Sequence, residues 1–175
     1  MRKLLYLTLA IAISTVAAMP AQAPQASPAD RKPGTYTLGP DSLPQDGVPK
    51  GKLEGPFEFK SAIIPNTARR YWVYIPAQYT GDRPANVLVF QDGQRATNPK
   101  GQLQVPQVLE NLIHKKDIPV TIGIFITPGH RADTYPDNLG TSNPNNRAAE
   151  YDSLTDAYAR FLVKKCCQRW GRSTS

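Results

Sequence analysis

Cysteine, metal-ligand motifs and long apolar runs are scarce in this sequence of 175 residues. The only two cysteines, Cys166 and Cys167, are adjacent, so they cannot form a disulfide that joins distant parts of the chain. His114 and His130 stand apart from other ligand types, and neither C-x-x-C nor H-E-x-x-H occurs. We therefore expect no structural disulfide, no metal and no other cofactor, and a fold that depends on its apolar core.

A cluster of positive charge is also missing from the body of the chain. The sequence carries 21 Lys and Arg against 14 Asp and Glu, a net charge of +7. Most of this excess lies at the two ends, in Arg2, Lys3, Lys164, Lys165, Arg169 and Arg172. Because nucleic-acid binding requires basic side chains clustered on the folded surface, the pattern argues against a nucleic-acid partner.

The first 23 residues have the three-part layout of a secretory signal peptide. Arg2 and Lys3 precede an apolar stretch over residues 4–16, and small residues follow it, with cleavage predicted after Ala23 or after Ala18. The apolar stretch is shorter than the roughly 20 residues that span a bilayer, which disfavours a stable membrane anchor. The three-part layout likewise favours a signal peptide over the other alternative, a buried N-terminal helix. The layout predicts export, to a periplasm or out of the cell.

A proline-rich segment over residues 24–52 follows, with few large apolar side chains. Such a composition buries too little surface to offset the entropy of ordering. We interpret it as a linker or an extended arm, followed by a folded domain over residues 53–163.

Four segments of the domain have strand patterns. Residues 57–63 alternate apolar and polar side chains, and residues 70–75 are rich in aromatic and β-branched types, which together predict a hairpin. Residues 86–90 and 120–126 are short continuous apolar runs, typical of strands buried on both faces of a parallel sheet.

Two segments have helical periodicity. An apolar stripe predicts a helix between the last two strands, in Val105, Val108, Leu109, Leu112 and Ile113. A second stripe predicts a helix over residues 154–162, with Ser153 and Asp156 as a capping box. The order predicts an α/β fold, a β-hairpin followed by a βαβα run.

Such a sheet should continue with another buried strand after the second helix, but none follows in the sequence. We therefore predict an incomplete sheet in which strand 120–126 keeps an unpaired edge. An open edge of this kind promotes self-association.

The chain resembles the exported α/β-hydrolase esterases related to enterochelin esterase and the esterase D group. The resemblance covers about residues 35–163 and is carried by four strings: Arg70-Tyr71-Trp72-Val73-Tyr74-Ile75-Pro76-Ala77-Gln78-Tyr79, Val87-Leu88-Val89-Phe90-Gln91-Asp92-Gly93, residues 111–126, and residues 147–162. It implies metal-free hydrolysis of a small-molecule or carbohydrate ester by Ser, Asp and His on a mostly parallel sheet.

The nucleophile expected from this resemblance is missing. No G-x-S-x-G motif occurs, and the nearest string, Gly140-Thr141-Ser142-Asn143-Pro144, has proline in place of the last glycine. His114 and His130 precede the point where a catalytic histidine would lie, so we interpret them as solvated or locally hydrogen-bonded. We predict no catalytic residue within this chain.

One part of the site is retained. The resemblance implies that the loop after the third strand supplies oxyanion-hole N–H groups, from Gly93 and Gln94. The alternative for the same residues is an ordinary Asp-Gly turn. Asp92, Arg147 and Glu150 are candidates for charges on the substrate side, although an ion pair between Arg147 and Glu150 is the interpretation that we favour.

Residues 164–175 fit neither a strand nor a continued helix. With permitted codons for residues 163–172, one added nucleotide gives Val-Glu-Glu-Val-Leu-Pro-Glu-Val-Gly-Lys, a continued helix with a proline stop. The sequence thus predicts a truncated or frameshifted fragment of a secreted serine esterase, inactive by itself. The alternative is a secreted binding module for carbohydrate or protein, using Tyr71, Trp72 and Tyr74; alternation places Tyr71 on the opposite face from the other two, which favours core packing.

Overall fold

A computed structural model of the protein describes residues 37–139 and 143–167. The predicted signal peptide, residues 24–36 of the proline-rich segment, Ser142 and residues 168–175 of the tail lie outside the described residues. Within the described ranges, no helix combines the length and the apolar character that crossing a bilayer requires.

The core of the fold is a mixed four-stranded sheet. Strands β1 (Lys52–Lys60) and β2 (Ala68–Ile75) pair antiparallel, as do β2 and β4 (Thr121–Ile126). Strand β3 (Asn86–Gln91) pairs parallel to β4, and the order across the sheet is β1-β2-β4-β3. The predicted α/β sheet with an antiparallel hairpin at its start is confirmed.

The prediction that strand 120–126 keeps the unpaired edge is wrong. Strand β4 lies inside the sheet, between β2 and β3, and five of its six residues are buried. The open edge belongs to β3, in which Val87 is 53% exposed and Leu88, Val89 and Phe90 are only half-buried. Both segments are continuous apolar runs, so their composition did not distinguish the central strand from the edge strand.

The first strand begins five residues earlier than its alternation predicts and ends three residues earlier. The alternation does not reveal the start of the strand, because Gly55 and Pro56 form an irregularity at which the pairing with β2 shifts register. Edge strands tolerate such an interruption. The strand ends at Lys60, and the Ser61 hydroxyl then accepts a hydrogen bond from the Ile63 N–H within a turn.

Helix α2 (Val105–Lys115) connects β3 to β4, as predicted, and packs on one face of the sheet. Its stripe residues Leu109 and Ile113 are buried against Tyr74 and Phe125. Val105 and Trp72 border the same cluster. A short helix that the sequence did not predict, α1 (Gly93–Ala96), contributes Ala96 to this core.

The opposite face of the sheet carries a second core around Phe161, Tyr71 and Ile126. Tyr71 therefore faces away from Trp72 and Tyr74, as the alternation predicts, and both Tyr71 and Tyr74 are buried. Core packing is confirmed as the role of these two tyrosines.

The predicted helix over residues 154–162 is shorter and has a separate helix before it. Helices α3 (Arg147–Tyr151) and α4 (Ala157–Phe161) flank a turn in which the Thr155 N–H donates to the Ser153 hydroxyl. Asp156 makes no side-chain cap, and Leu154, a member of the predicted stripe, is fully exposed. Local bonding of Ser153 competes with the helix here. After α4 the chain continues as a π-helical turn, Leu162–Cys167.

The described part of the proline-rich segment, residues 37–51, lies against α2. The buried side-chain amide of Asn111 donates hydrogen bonds to the carbonyls of Asp41 and Leu43, both at 2.8 Å. The Gly51 N–H donates to the carboxylate of Glu110 at 3.0 Å. Two polar side chains of the helix thus fix this arm at both ends.

Candidate active-site loop

The loop between β3 and α1, residues 91–94, is the centre of the candidate site. Strand β3 ends at Gln91, opposite Ile126 at the end of β4, so the loop lies at the carboxyl edge of the two parallel strands. Asp92 has left-handed backbone angles, with φ 54° and ψ 44°. This conformation costs an ordinary residue roughly 1–2 kcal/mol, and aspartate is one of the few types that adopt it. The left-handed residue of the Asp-Gly pair is therefore Asp92.

Gly93 is a glycine because the loop lies directly against β4. A Cβ atom at this position would be 2.5 Å from the Phe125 carbonyl carbon and 2.6 Å from the Ile126 nitrogen. Both neighbours are backbone atoms in the central strand, so neither can move aside. Only a residue without a Cβ atom therefore allows the loop to lie this close to β4.

The N–H groups of Gly93 and Gln94 belong to the first turn of helix α1. The Asp92 carbonyl accepts hydrogen bonds from the N–H groups of Arg95, at 2.8 Å, and Ala96, at 3.4 Å. Within residues 37–139 and 143–167, neither the Gly93 N–H nor the Gln94 N–H has an acceptor. N–H groups that are free to donate and fixed beside a cavity are the kind of donor that an oxyanion hole uses.

A cavity of about 800 Å³ adjoins the loop. Cationic, aromatic and amide side chains line it, among them Arg70, Trp72, Gln94, Arg95, Tyr135 and Asn143. Arg70 is already paired with Glu58 and Asp137, whereas Arg95 bonds to the side-chain amide of Asn143 at 3.2 Å. The cavity lies at the carboxyl end of the strands, where open α/β sheets bind their ligands.

Asp92 and Arg147, both predicted as substrate-side candidates, are paired with each other. The guanidinium Nε and Nη2 atoms of Arg147 donate to the two carboxylate oxygens of Asp92 at 3.1 and 2.9 Å. These hydrogen bonds raise the pKa of Arg147. The Tyr151 hydroxyl, one helical turn further along α3, accepts from the Asp92 N–H at 3.3 Å. The structure thus brings Asp92, Gly93, Gln94 and Arg147 together.

Glu150 lies apart from this loop, on the other side of α3. It is 5% exposed, and its carboxylate accepts hydrogen bonds from Arg69 at 2.8 Å, from the Asn146 amide at 2.8 Å and from the Gly129 N–H at 3.1 Å. Both Arg147 and Glu150 are therefore in ion pairs, but the interpretation that they pair with each other is wrong. They lie three residues apart on a short helix and are drawn to different oppositely charged partners.

Arg69 and Tyr151, which bind Glu150 and Asp92 respectively, have no functional signal in the sequence. Arg69 is fully buried under the ring of Phe161, with its guanidinium carbon 4.2 Å from the ring centroid. Tyr151 stacks edge-on against Tyr158, and burial raises its pKa to about 12. The partner of each residue lies far away in the chain, so the neighbouring sequence does not predict the contact.

The described serines and histidines do not form a nucleophile and base. The hydroxyl of Ser153 bonds to Thr155, and His130 accepts a hydrogen bond from the Asn145 N–H at 3.3 Å. In the described residues no hydrogen bond joins a serine hydroxyl to a histidine. Nor do three His, Cys, Asp or Glu side chains cluster there as ligands for a metal ion.

Comparison with known proteins identifies a family. Residues 61–169 match the model of the Esterase family, which is more than half of the chain and includes the first residues of the predicted tail. No curated protein matches the sequence.

Among solved structures, the chain is similar to the ferulic acid esterase of the anaerobic fungus Anaeromyces mucronatus, with 13% identity and a TM-score of 0.52. The match covers 75% of this chain and 47% of the fungal enzyme. A feruloyl esterase module from Clostridium thermocellum is also similar, with 17% identity, a TM-score of 0.40, and coverage of 71% and 41%. The chain thus spans about half the length of the enzymes that it matches.

Proposed function

Because the chain belongs to the Esterase family, we propose that it is the N-terminal portion of an exported serine esterase and carries the oxyanion-hole side of its active site. The N–H groups of Gly93 and Gln94, which have no acceptor among the described residues, and the adjoining cavity of about 800 Å³ are the observation that carries this proposal. Donors fixed in place before reaction stabilise the charge that develops on the carbonyl oxygen of an ester.

The remaining chemistry requires a nucleophilic serine, an acid and a histidine. In the α/β-hydrolase order all three follow the segment present here, with the serine in a G-x-S-x-G turn. The chain alone is therefore proposed to be inactive. Enzymes that lack their triad retain roughly 10³–10⁴ of rate enhancement over water, and half of a site should retain less. A frameshift near residue 164 is our proposed origin of the truncation.

The proposed substrate is a carboxylic ester of a small molecule or a carbohydrate. Arginine and amide side chains along the cavity suit a polar ester, because they offer hydrogen-bond donors to its oxygen atoms. Within the family, the four strings that carry the resemblance support a subgroup related to enterochelin esterase and the esterase D group. The alternative, a secreted binding module for carbohydrate or protein, would use Tyr71, Trp72 and Tyr74, but the first and last of these are buried.

Hydrolysis of p-nitrophenyl acetate tests the proposal. The purified chain should give no turnover above buffer, whereas a longer version, with the reading frame restored after Val163, should hydrolyse the ester. Replacement of the serine in its downstream G-x-S-x-G by alanine is the control and should abolish turnover. A folded longer version without activity would contradict the proposal.

Export is the second component of the proposal and rests on residues 1–23. Mass spectrometry of the N-terminus after expression in a secreting host should find cleavage between Ala18 and Pro24. Mature protein that still begins at Met1 would remove the secretory component without affecting the esterase assignment.

A further inference from the structure

Helix α3 contacts residues 91–94, the candidate oxyanion-hole loop, through two groups of one residue, Asp92. Arg147 binds the carboxylate of Asp92 with two nitrogens, and the Tyr151 hydroxyl accepts from the Asp92 N–H. We propose that α3 is a positioning element for this loop, with Arg147 and Tyr151 as positioning residues that hold Asp92 left-handed. The inference rests on the proposed function only in that the loop serves as an oxyanion hole.

The two contacts restrict the backbone because one holds the N–H of Asp92 and the other holds its carboxylate. Arg147 and Tyr151 are four residues apart, so they lie on the same face of the helix. The guanidinium of Arg147 also lies 4.8 Å from the centroid of the Tyr151 ring. With its N–H and its carboxylate both held, Asp92 cannot rotate about its N–Cα bond without breaking one contact. Its angles set the direction of the next peptide groups, those of Gly93 and Gln94.

The helix that makes this contact is itself fixed to the sheet. Glu150, on the other side of α3, accepts hydrogen bonds from Arg69 in β2 and from the Gly129 N–H after β4. Its side chain is 2% exposed, and that of Arg69 is fully buried. The helix therefore transmits the rigidity of the central strands to the loop at their carboxyl edge.

Arginine is required for the contact to Asp92, since only a planar guanidinium presents two parallel donors to a carboxylate. A lysine at position 147 would keep the charge but place one point donor. If Arg147 acts by geometry, Arg147→Lys should resemble Arg147→Ala in its effect on the loop. If charge alone were sufficient, Arg147→Lys would restore it.

Nuclear magnetic resonance of the isotope-labelled full chain tests the proposal without an enzymatic assay. Two signals report on Asp92: the strong HN–Hα cross-peak within a left-handed residue, and hydrogen exchange of the Arg95 amide, which bonds to the Asp92 carbonyl. Arg147→Ala and Arg147→Lys should weaken the cross-peak and accelerate exchange at Arg95 by about tenfold or more, because local opening becomes easier. The Val108 amide in α2, bonded to the Gln104 carbonyl, should keep its exchange rate.

Two further variants complete the test. Tyr151→Phe keeps the ring and removes only the acceptor for the Asp92 N–H, so it should shift the same signals less strongly. This variant still tests the proposal if either Arg147 variant fails to fold. Arg160→Ala, which removes an exposed ion pair with Asp156 in α4, should leave the loop unchanged. Unchanged Asp92 and Arg95 signals in folded Arg147→Ala and Tyr151→Phe would overturn the positioning role. Because no catalysis is measured, that result is distinguishable from failure of the proposed esterase function.

Discussion

Glu150 carries the buried charge that fixes α3 to the sheet, and its removal should be costly. Both side chains of the Arg69–Glu150 pair are buried, and without Glu150 the charge of Arg69 would have no oppositely charged partner. Removing one partner of a buried ion pair costs about 3–5 kcal/mol. We predict that Glu150→Ala lowers the free energy of unfolding by this amount in urea titrations followed by circular dichroism.

Arg160→Ala is the matched control for Glu150→Ala, because its pair with Asp156 is exposed. Exposed pairs four residues apart on a helix contribute about 0.3–0.5 kcal/mol. Equal small losses for the two variants would mean that Glu150 does not fix α3. Glu150→Gln should fall between them, since its amide oxygen can still accept from Gly129 or Asn146.

Tyrosine ionisation predicts how stability changes at high pH. Burial raises the pKa of Tyr151 from 10.0 to about 12, and it raises the pKa of the neighbouring Tyr158 further. Above pH 10 the unfolded chain loses protons that the folded chain keeps, so the free energy of unfolding should fall as pH rises from 10 to about 12. Denaturant titrations should show a smaller fall in Tyr151→Phe. An identical pH dependence in this variant would contradict the contribution of Tyr151.

At the residue scale, the sequence predicts the partners of the candidate site residues only in part. The structure brings together Asp92, Gly93, Gln94 and Arg147, four of the residues that the sequence names as candidates. The partners of Glu150 could not be predicted, because Arg69 is 81 residues away in the chain and nothing around it indicates a buried charge. The reason for glycine at position 93 was also hidden, since it depends on a close approach to β4.

At the scale of elements, the two edges of the sheet differ in protection. Strand β1 is interrupted at Gly55 and Pro56 and carries charged side chains at Lys52, Glu54, Glu58 and Lys60. Strand β3 contains no charged residue, and its apolar side chains are half-buried or exposed. Interruptions and charges protect an edge from pairing with other chains, so we expect β3 to be the edge that pairs with another chain.

We therefore predict that the purified chain self-associates through β3 and that Val87→Lys reduces this association. Val87 is 53% exposed, so a lysine there can reach water without disturbing the core. Analytical ultracentrifugation over a concentration series measures the effect. Leu53→Lys, at a position 41% exposed on β1, is the control and should leave the association unchanged. A monomeric parent chain with cooperative thermal unfolding would contradict this prediction.

Periodicity predicted elements well where the pattern was long and poorly where local bonds intervened. The stripe of α2 is confirmed with its start at Val105, because Leu109 and Ile113 both face the core. The prediction from the second stripe is wrong at Leu154, since the Ser153 hydroxyl bonds locally to the Thr155 N–H and competes with helix formation there. Helices α1 and α3 have four and five residues, too few to show a period.

At the scale of the whole molecule, we propose that this chain holds one side of an esterase site without the nucleophile. Order and composition predict the α/β sheet but assign its open edge to the wrong strand, because long-range pairing decides which strand is outermost. The fold covers 47% of the fungal esterase that it resembles. The proposal places the serine, the acid and the histidine in a part of the enzyme that follows the segment present here.

Labelling with a fluorophosphonate probe, followed by peptide mass spectrometry, tests this claim most directly. The probe reacts with a serine only when a base and an oxyanion hole activate it. The present chain should remain unlabelled, and the version with the restored frame should be labelled stoichiometrically at a serine encoded beyond position 175. Stoichiometric labelling of the present chain at one of its own serines, with Ser142 and Ser153 the first to inspect, would contradict the account.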